Sequence, residues 1–374
     1  MCMLVKLYEE GENVIPWLVN DLLQCLKRAK PRKFNVVVMP DFLIDRLATY
    51  SGEVEQFSQM IAEVASRFGG DIHGLKQIEL RGGNAANTAG ALGALGAKVY
   101  PIIKTSPLGL HMLKFFLEPF GVNLSHVKAD GEIALTTAFE LTHRGEKVNI
   151  MMGDQGSLPD FGPKDLAEED FQLLREADYV CVFHWAALTR WGTELAENVF
   201  RYVKEKGKAK TYYDTGDPSP NKDGIPKLVK KVLLGKIVDI FGVNENEVFM
   251  YASQLDPKVK RLRKKLEHHD LAKECARILA KHISARVDLH TSAFSGSFTK
   301  ENEVIVPAFN VPVLWSTGAG DAWNAGNIFG DALGLPDSCR LTLANAVAAY
   351  YVSSPTAEHP TLPKLIEFCS KQKQ

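Results

Sequence analysis

One glycine-rich segment carries most of the information about the fold of this 374-residue chain: STGAGDAWNAG, at residues 316–326. Glycine and alanine remove side-chain bulk, so successive backbone N–H groups can converge on an anion. A helix that begins near Gly320 would add its free amides and its positive dipole end. Such a bend can hold a phosphate group, and Asp321 could accept a proton from a hydroxyl that attacks it. The alternative is that Asp321 caps the helix and the glycines only turn the chain.

A second glycine segment lies upstream, RGGNAAN at residues 81–87. It follows a strand-like stretch at 75–80 and opens a helix rich in alanine and leucine. Gly82 and Gly83 let a ligand approach the backbone closely, and Asn87 offers a donor and an acceptor to hydroxyl groups. A tight strand-to-helix turn without a ligand is the alternative. Because the two glycines are adjacent, the segment does not match the dinucleotide pattern G-x-G-x-x-G, and a Rossmann dehydrogenase is disfavoured.

Acidic side chains follow the first predicted strand. That strand, at 34–39, is rich in β-branched residues, which is typical of a strand buried on both faces. Asp41 and Asp45 come directly after it. Ligands of open parallel sheets bind beyond the carboxyl ends of the strands. We therefore expect Asp41 or Asp45 to reach a polyol. The alternative, a solvated loop acid, is the interpretation favoured for Asp41 over Asp45.

A similar pattern recurs further along the chain, where Asn244 and Glu247 follow a strand predicted at 238–243. Mg²⁺ is a hard cation that keeps much of its water shell, so these two side chains could hold it through water near phosphate groups. The alternative is a helix N-terminus with acidic residues in its first turn.

The rest of the chain alternates predicted strands with predicted helices, which indicates βαβ units and a largely parallel sheet. Further strands are predicted at 99–103, 179–183, 211–213 and 286–290, and helices at 52–68, 165–176, 193–206, 225–234 and 258–284. A hairpin at 136–152 does not fit this alternation and predicts, with the segment near 70–80, a small antiparallel flap.

The domain organisation predicted from these elements is a helical extension at 1–33 followed by one domain at 34–374. The flap would be built from segments near 42–80 and 131–156. Since its outer strand would expose an unpaired edge, two copies of the chain could pair through it as a homodimer.

Composition excludes several classes of protein. The chain is 45% hydrophobic and 24% charged, with 44 Lys and Arg against 45 Asp and Glu, which is ordinary for a globular protein and gives no field that attracts nucleic acid. We therefore expect no nucleic-acid partner, and a basic run at 258–265 is interpreted as a solvated helix.

No apolar run is long enough to span a bilayer and the first residues do not resemble a signal peptide, so we expect a cytoplasmic protein without a membrane partner. The six cysteines are scattered and are expected to be buried thiols rather than metal ligands.

Taken together and in this order, the segments resemble the ribokinase/PfkB carbohydrate-kinase family over roughly residues 34–357. Gly82 and Gly83 with Asn87 look like the N-terminal glycine signature of that family. Asn244 and Glu247 match its N-x-x-E motif. The run at 318–321, GAGD, matches its C-terminal signature, which is the most specific of the set.

The resemblance implies a ribokinase-like α/β fold, with a mostly parallel central sheet flanked by helices and a small β-sheet lid. It also implies transfer of a phosphoryl group from a nucleotide, ATP or ADP, with Mg²⁺, to a hydroxyl of a sugar or nucleoside. The resemblance implies that Asp321 is the base and that the amides of Gly318, Ala319 and Gly320 form the anion hole. It implies that the acceptor is bound by Asp45, Gly82, Gly83 and Asn87, and that Mg²⁺ is oriented by Asn244 and Glu247. It also implies a place beside the nucleotide for Asn244, Thr317, His290 and Asn345.

Departures from the family pattern suggest other functions. Lys104 stands where the family has a glycine-and-acid turn, which places a cation near the expected acceptor pocket. Arg81, Arg144 and Lys147 could also pair with a phosphate, although each could equally be a plain surface charge. One alternative is therefore a phosphosugar kinase, such as an ADP-dependent ribose 1-phosphate kinase, and another is a non-catalytic metabolite sensor. Trp315 stands where the family commonly has an aspartate of a monovalent-cation site.

Overall fold

The structure is a computed structural model that describes residues 14–29 and 33–372. Its strands are β1 (Asn35–Met39), β2 (Leu43–Glu53), β3 (Lys76–Gly82), β4 (Lys98–Pro101), β5 (Ala134–His143), β6 (Glu146–Asp154), β7 (Tyr179–Val182), β8 (Lys210–Asp214), β9 (Ile240–Val243), β10 (Arg286–His290), β11 (Phe294–Phe298) and β12 (Glu303–Pro307). Its α-helices are α1 (Ile15–Arg28), α2 (Val54–Ser66), α3 (Asn84–Leu95), α4 (Pro107–Leu117), α5 (Glu168–Glu176), α6 (Gly192–Lys206), α7 (Ile225–Leu228, continued by a π-helical turn at Val229–Leu233), α8 (Glu245–Leu255), α9 (Val259–Leu262), α10 (His268–His282), α11 (Ala319–Ala332), α12 (Asp337–Ser353) and α13 (Leu362–Lys371). Short 3₁₀ turns lie at Glu118–Phe120, Leu158–Asp160, Pro163–Asp165, Trp185–Ala187 and Ser219–Gly224.

Eight strands form the main sheet, in the order β12-β11-β10-β9-β8-β7-β1-β4. The six strands from β10 to β4 are parallel, and β11 and β12 add an antiparallel edge. In β1, Val36 and Val38 face one hydrophobic core, whereas Val37 and Met39 face the other. This double burial explains the β-branched run and confirms the predicted mostly parallel α/β fold. Because the parallel strands run in one direction, their carboxyl ends meet at one edge of the sheet.

The second sheet, called the lid sheet below, has four strands in the order β3-β2-β5-β6. The predicted hairpin is its β5–β6 pair, which is antiparallel from Leu135 opposite Asp154 to His143 opposite Glu146. The chain enters the lid sheet just after β1 and leaves it at Gly82, directly before α3. The lid sheet is therefore attached at the carboxyl end of β1.

Two helices hold the glycine bend against the rest of the molecule. α11 begins at the bend and packs on both α12 and α3. The contact with α12 is close because a Cβ on Gly326 would lie 2.7 Å from the Cα of Ala344. The small side chains of α3, which are nearly all buried, allow a similarly close approach. The small residues from which these helices are predicted therefore also fix the position of the bend.

Other predicted elements differ in detail. The helix predicted at 258–284 is two helices, α9 and α10, because Glu267 has an extended backbone (ψ 157°) and starts a new helix. The basic run at 258–265 is mostly exposed, as expected for like charges that repel one another within one turn. Most of the described part of the predicted N-terminal extension is α1, which packs on α12 and α13. Residues 1–13 and 30–32 of that extension lie outside the described residues. Across 14–29 and 33–372, no helix has the length and the apolar character that crossing a bilayer requires.

Candidate active site

Polar side chains stand at the carboxyl ends of consecutive parallel strands. His184 follows β7, Asp214 ends β8, Asn244 follows β9 and His290 ends β10. All four line one cavity of about 330 Å³, called the central cavity below. The predicted site residues that also line it are Asp45, Gly83, Asn87, Glu247, Thr317, Gly318, Gly320 and Asp321. The fold therefore brings together the lid sheet, the sheet edge and the glycine bend around a single space.

The glycine bend has the conformation that the sequence predicts for an anion site. Gly318 has a φ of +85°, in the left-handed region that favours glycine, and it precedes the first residue of α11. The amides of Gly318, Gly320 and Asp321 donate to no acceptor among the described residues. The amide of Ala319 is different, since it reaches the carbonyl oxygen of Ser316 at 3.3 Å. The bend therefore presents free N–H groups at the start of a 14-residue helix.

Asp321 is buried beside this bend, with 6% of its surface exposed. Asn87 Nδ2 donates to Asp321 Oδ2 at 2.9 Å. Burial raises the pKa of Asp321 to about 7, although the hydrogen bond from Asn87 acts in the opposite direction, and the charges of Asp41 and Asp214 raise it further. A carboxyl group with this pKa exchanges a proton readily near neutral pH.

On the lid side, Asp45 extends from β2 into the central cavity. Burial raises its pKa, while a hydrogen bond from Thr136 and the charge of His184 lower it. Gly82 does not line the cavity, but a Cβ on it would lie 2.5 Å from Asp45 Oδ2. Gly83 has a φ of +95°, and a Cβ there would lie 2.8 Å from the carbonyl oxygen of Asp41. The two glycines therefore make room for the acidic segment after β1.

The interpretation of Asp41 as a solvated loop acid is wrong, because this side chain is completely buried. Its carboxylate accepts hydrogen bonds from the amides of Asn84 (2.7 Å) and Ala85 (2.8 Å), so it caps α3. It also contacts His184 Nδ1 at 2.8 Å. Burial alone would lower the pKa of His184, but the carboxylates of Asp41, Asp321 and Asp214 outweigh it and raise the pKa.

Sequence reasoning missed His184 and Asp214, although both stand where the carboxyl-end rule points. The residues after β7 and at the end of β8 occupy the same edge of the sheet as those after β1 and β9. Asp214 accepts hydrogen bonds from Asn324 Nδ2 (2.6 Å) and from the amide of Gly216 (2.9 Å). His184 is therefore held by Asp41, which is distant in the sequence. Asp214 is held by the distant Asn324 and by Gly216 in the loop that follows β8.

Asn244 and Glu247 form the N-terminal cap of α8. Asn244 Oδ1 accepts from the amide of Glu247, and Glu247 Oε2 accepts from the amide of Asn244, both at 3.0 Å. The helix-cap alternative is thus realised in the structure, and both residues also line the central cavity. Burial, followed by the charge of Asp214, holds the pKa of Glu247 well above its usual range.

The donor set around Glu247 fits a hydrated Mg²⁺ ion. Four carboxyl groups and no lysine or arginine are among the described residues that line the central cavity. A phosphate group in such a cavity needs a cation between itself and the carboxylates, and oxygen donors are the ligands that Mg²⁺ prefers. Asp214 ends β8, and Asn244 and Glu247 follow the neighbouring strand β9. These three residues would hold the Mg²⁺ ion.

Comparison with known proteins decides the family. The model of the pfkB family of carbohydrate kinases matches residues 58–365. The chain belongs to the PfkB family of carbohydrate kinases. This kinase is therefore a phosphotransferase, as the motifs predict, and the predicted resemblance is confirmed.

Solved structures agree on the fold. The chain is similar to Arabidopsis thaliana ribokinase complexed with ribose and ATP (TM-score 0.68, 16% identity, 90% of this chain and 99% of that one). It is also similar to adenosine kinase from Sinorhizobium meliloti (0.66, 16%, 91% and 99%) and to fructokinase with bound ATP from Xylella fastidiosa (0.66, 18%, 91% and 99%). At these identities the likeness establishes the ribokinase-like fold. A comparison with curated protein sequences finds no match.

A second cavity of this kinase, of about 420 Å³ and called the side cavity below, lies on the other side of the bend. Ala319, His290 and Asn345 line it together with apolar side chains. His290 Nε2 is buried without a hydrogen-bond partner among the described residues, and its ring lies 5.0 Å from that of Trp323. The amide of Asn345 is already engaged, because its Oδ1 accepts from Trp323 Nε1 (2.9 Å) and its Nδ2 donates to the carbonyl oxygen of Pro307 (2.9 Å).

Lys104 does not lie where the sequence predicts it. It lines neither cavity, and its Nζ binds Asp165 Oδ1 at 3.0 Å. Asp165 belongs to a 3₁₀ turn that is 61 residues away in the chain, so no local signal could reveal the pair. Trp315 is also engaged elsewhere, since its Nε1 donates to the carbonyl oxygen of Ser354 at 2.8 Å.

Proposed function

We propose that this kinase transfers the terminal phosphoryl group of a nucleotide, ATP or ADP, to a hydroxyl group of a sugar or a nucleoside. Asp321 is the general base, and the free amides of Gly318 and Gly320 form the anion hole together with the amide of Ala319, whose contact with the carbonyl oxygen of Ser316 is long at 3.3 Å. One observation carries the proposal: a buried carboxyl group with a pKa of about 7 lies beside free amides in a single cavity.

The acceptor binds on the lid side of the central cavity. Asp45 and Asn87 hold neighbouring hydroxyl groups, and Gly82 and Gly83 shape the backbone beneath them. The nucleotide approaches from the other side, past Thr317, Asn244 and His290, with its base in the side cavity beside Asn345. This arrangement brings the acceptor hydroxyl and the terminal phosphorus together at the bend.

In the chemical step, the acceptor oxygen forms a bond to the terminal phosphorus while the bond from that phosphorus to the leaving nucleotide oxygen breaks. The proton of the hydroxyl moves to Asp321. The free amides stabilise the charge on the equatorial oxygens, so positioning and electrostatic stabilisation supply most of the rate. No covalent intermediate with the protein is needed.

When bound, Mg²⁺ neutralises charge on the phosphate groups, and Asn244, Glu247 and Asp214 would hold it through water. We expect Glu247→Gln to raise the Mg²⁺ concentration needed for half-maximal activity by roughly tenfold to a hundredfold, the usual cost of losing a supporting ligand. Excess EDTA should abolish activity of the unmodified protein. The measurement is the initial rate against Mg²⁺ concentration, with Glu205→Gln on the surface of α6 as the control. An unchanged Mg²⁺ dependence in Glu247→Gln would remove Glu247 from the metal site.

The experiment that tests the function is a matrix of ATP and ADP against sugars, nucleosides and sugar phosphates. We expect turnover with at least one unphosphorylated acceptor. Ligand-induced thermal stabilisation without turnover across the matrix would instead support the metabolite sensor.

Lys104, one of the four cations from which the phosphosugar alternative follows, is bound to Asp165. We expect Lys104→Ala to change the KM of every acceptor, phosphorylated or not, by less than about twofold, as for a side chain that does not touch substrate. The KM values of the two classes of acceptor are compared in parallel, with Lys206→Ala at the exposed end of α6 as the control. A KM that rises only for phosphorylated acceptors would restore the alternative.

Two features of the sequence-based prediction stay predictions. One is the homodimer through the lid sheet, whose outer strand β6 exposes Met151 and Met152. The other is the location in the cytoplasm.

A further inference from the structure

Arg81 is a half-buried arginine that the proposed mechanism does not use. It stands at the end of β3, directly before the two adjacent glycines, and its guanidinium lies against α3. A Cβ on Gly90 would overlap Arg81 Nη1, so the absence of a side chain at that position makes room for the guanidinium. The lid sheet thus sends a cation into the interior beside the central cavity.

The guanidinium connects to the base through one amide. Arg81 Nε donates to Asn87 Oδ1 at 2.9 Å, and Asn87 Nδ2 donates to Asp321 Oδ2 at 2.9 Å. Because the guanidinium occupies the amide oxygen of Asn87, the amide NH₂ group must face the carboxylate. Arg81 therefore determines that the amide nitrogen of Asn87, and not its oxygen, faces Asp321.

The same guanidinium connects to the glycine bend. Arg81 Nη2 lies 2.7 Å from His359 Nε2, which must be the acceptor because arginine can only donate. The ring of His359 stacks on that of Tyr351, with centroids 4.9 Å apart, and Tyr351 Oη donates to the carbonyl oxygen of Thr317 at 2.9 Å. One cation is therefore linked to the base through Asn87 and to the bend through His359 and Tyr351.

No carboxylate pairs with Arg81 within residues 14–29 and 33–372. Among the described residues, its hydrogen-bond partners are the neutral side chains of Asn87 and His359. Burial lowers its pKa to about 10, while the charges of Tyr351 and Asp321 act in the opposite direction, so the group is still protonated at neutral pH. A charge that is largely withdrawn from water and has no ionic partner is costly for stability, which indicates that it serves another purpose.

We propose that Arg81 is a positioning residue that holds Asn87 and, through it, keeps the carboxylate of Asp321 oriented and ionised. The inference rests on the proposed role of Asp321 as base. The titratable groups that face Asp321 are Arg81 from β3, Asp41 after β1, His184 after β7, Asp214 from β8 and Tyr351 from α12. Arg81 is the one permanent cation among them.

The test is the pH profile of kcat/KM for Arg81→Gln, Arg81→Lys and the unmodified protein. Loss of the cation should move the acid limb of Arg81→Gln upward by about one pH unit. Its kcat at pH 7 should fall by about tenfold to a hundredfold, with partial recovery at pH 9 and an unchanged KM for the nucleotide. Arg81→Lys keeps the charge but not the fork of donors, and should lie between the two. Arg46→Gln, an exposed arginine of the neighbouring strand β2, is the control and should keep the original profile.

Gly90→Ala gives a second, independent variant, because it displaces the guanidinium without deleting it. Alanine favours a helix over glycine by about 1 kcal/mol, so a loss of helix stability does not explain a change in rate. We expect the same upward shift of the acid limb, and no further shift when Gly90→Ala is combined with Arg81→Gln.

Two results would overturn the proposal. One is a uniform loss of rate at every pH in both variants, which marks a purely structural role. The other is a KM increase confined to phosphorylated acceptors, which would mean that Arg81 binds an acceptor phosphate in the adjoining cavity of about 530 Å³ that it lines.

Direct NMR titration of the Asp321 carboxyl group, assigned with Asp321→Asn, separates this inference from the proposed function because it needs no turnover. A higher pKa in Arg81→Gln supports the positioning role even if the unmodified protein shows no kinase activity, and an unchanged pKa contradicts it.

Discussion

Asp321→Asn lowers kcat by at least about a hundredfold, because the amide of asparagine cannot take the proton of the acceptor hydroxyl and general bases contribute rates of this size. The KM of the nucleotide should change little, since the hydrogen bond from Asn87 and the free amides of the bend remain. Steady-state kinetics at a saturating concentration of acceptor provide the measurement. A variant that keeps nearly full turnover would remove Asp321 from the mechanism.

A matched control lies on the same helix. Asp331, near the end of α11, has a side chain that is only 7% exposed, and it binds Arg286 Nη1 at 2.7 Å and Lys210 Nζ at 2.6 Å. Asp331→Asn should lower thermal stability, because it weakens these ion pairs, while the kcat of the folded protein is kept. The pair of variants therefore separates chemistry from stability.

The pKa of Asp321 adds a dependence on pH to the same prediction. Because only the ionised carboxylate can accept a proton, kcat/KM should rise with pH through about 7, and this limb should be absent in Asp321→Asn. A raised pKa in the folded state also means that ionisation of Asp321 opposes folding, so this group costs stability progressively as the pH rises from about 4 to about 7. Asp321→Asn should therefore be more stable than the unmodified protein at pH 8, by an amount on the order of a few kcal/mol, and about equally stable at pH 4.

Gly318→Ala should also lower kcat, by roughly a hundredfold to a thousandfold, the range observed when donors to a developing oxyanion are lost. Gly318 has a φ of +85°, and a Cβ on it would lie 2.6 Å from Tyr351 Oη. Since Tyr351 also holds Thr317, the added methyl group must move the bend and its free amides. Rates and thermal unfolding are measured together, because the left-handed backbone adds a stability cost of about 1–2 kcal/mol.

Gly334→Ala is the control for the backbone strain. Gly334 has a φ of +68°, but a Cβ on it would meet no atom within 4 Å. Its substitution should lower stability to a similar extent while kcat stays unchanged. Equal kcat values for Gly318→Ala and Gly334→Ala would mean that the bend has no part in the reaction.

The glycine bend could be predicted from the sequence because its determinants are local. A left-handed glycine, a helix start and the acid in its first turn all fall within residues 316–321. The conformation of Gly83 is local in the same way. For such segments, backbone preferences alone restrict the structure strongly.

Interactions between distant segments could not be predicted in this way. Asp41 looks like a loop acid in the sequence, but it is buried because α3 and His184, 143 residues away, both supply donors to it. Lys104 looks like a free cation for the same reason, since the turn that holds Asp165 is not visible from its surroundings. The sequence offers Arg81 as a cation for a substrate phosphate, whereas in the structure it binds the nearby Asn87 and also His359, 278 residues away. In each case a long-range partner decides the role of a charged side chain.

The most direct test of the central claim is a crystal structure of the kinase with Mg²⁺, a non-hydrolysable nucleotide and an acceptor identified by the assay matrix. We predict that the terminal phosphorus lies at the bend, with its oxygens within hydrogen-bond distance of the amides at 318–320, and that the acceptor hydroxyl lies between it and Asp321. A terminal phosphate bound away from residues 318–321, with the bend closed by protein side chains, would contradict the account.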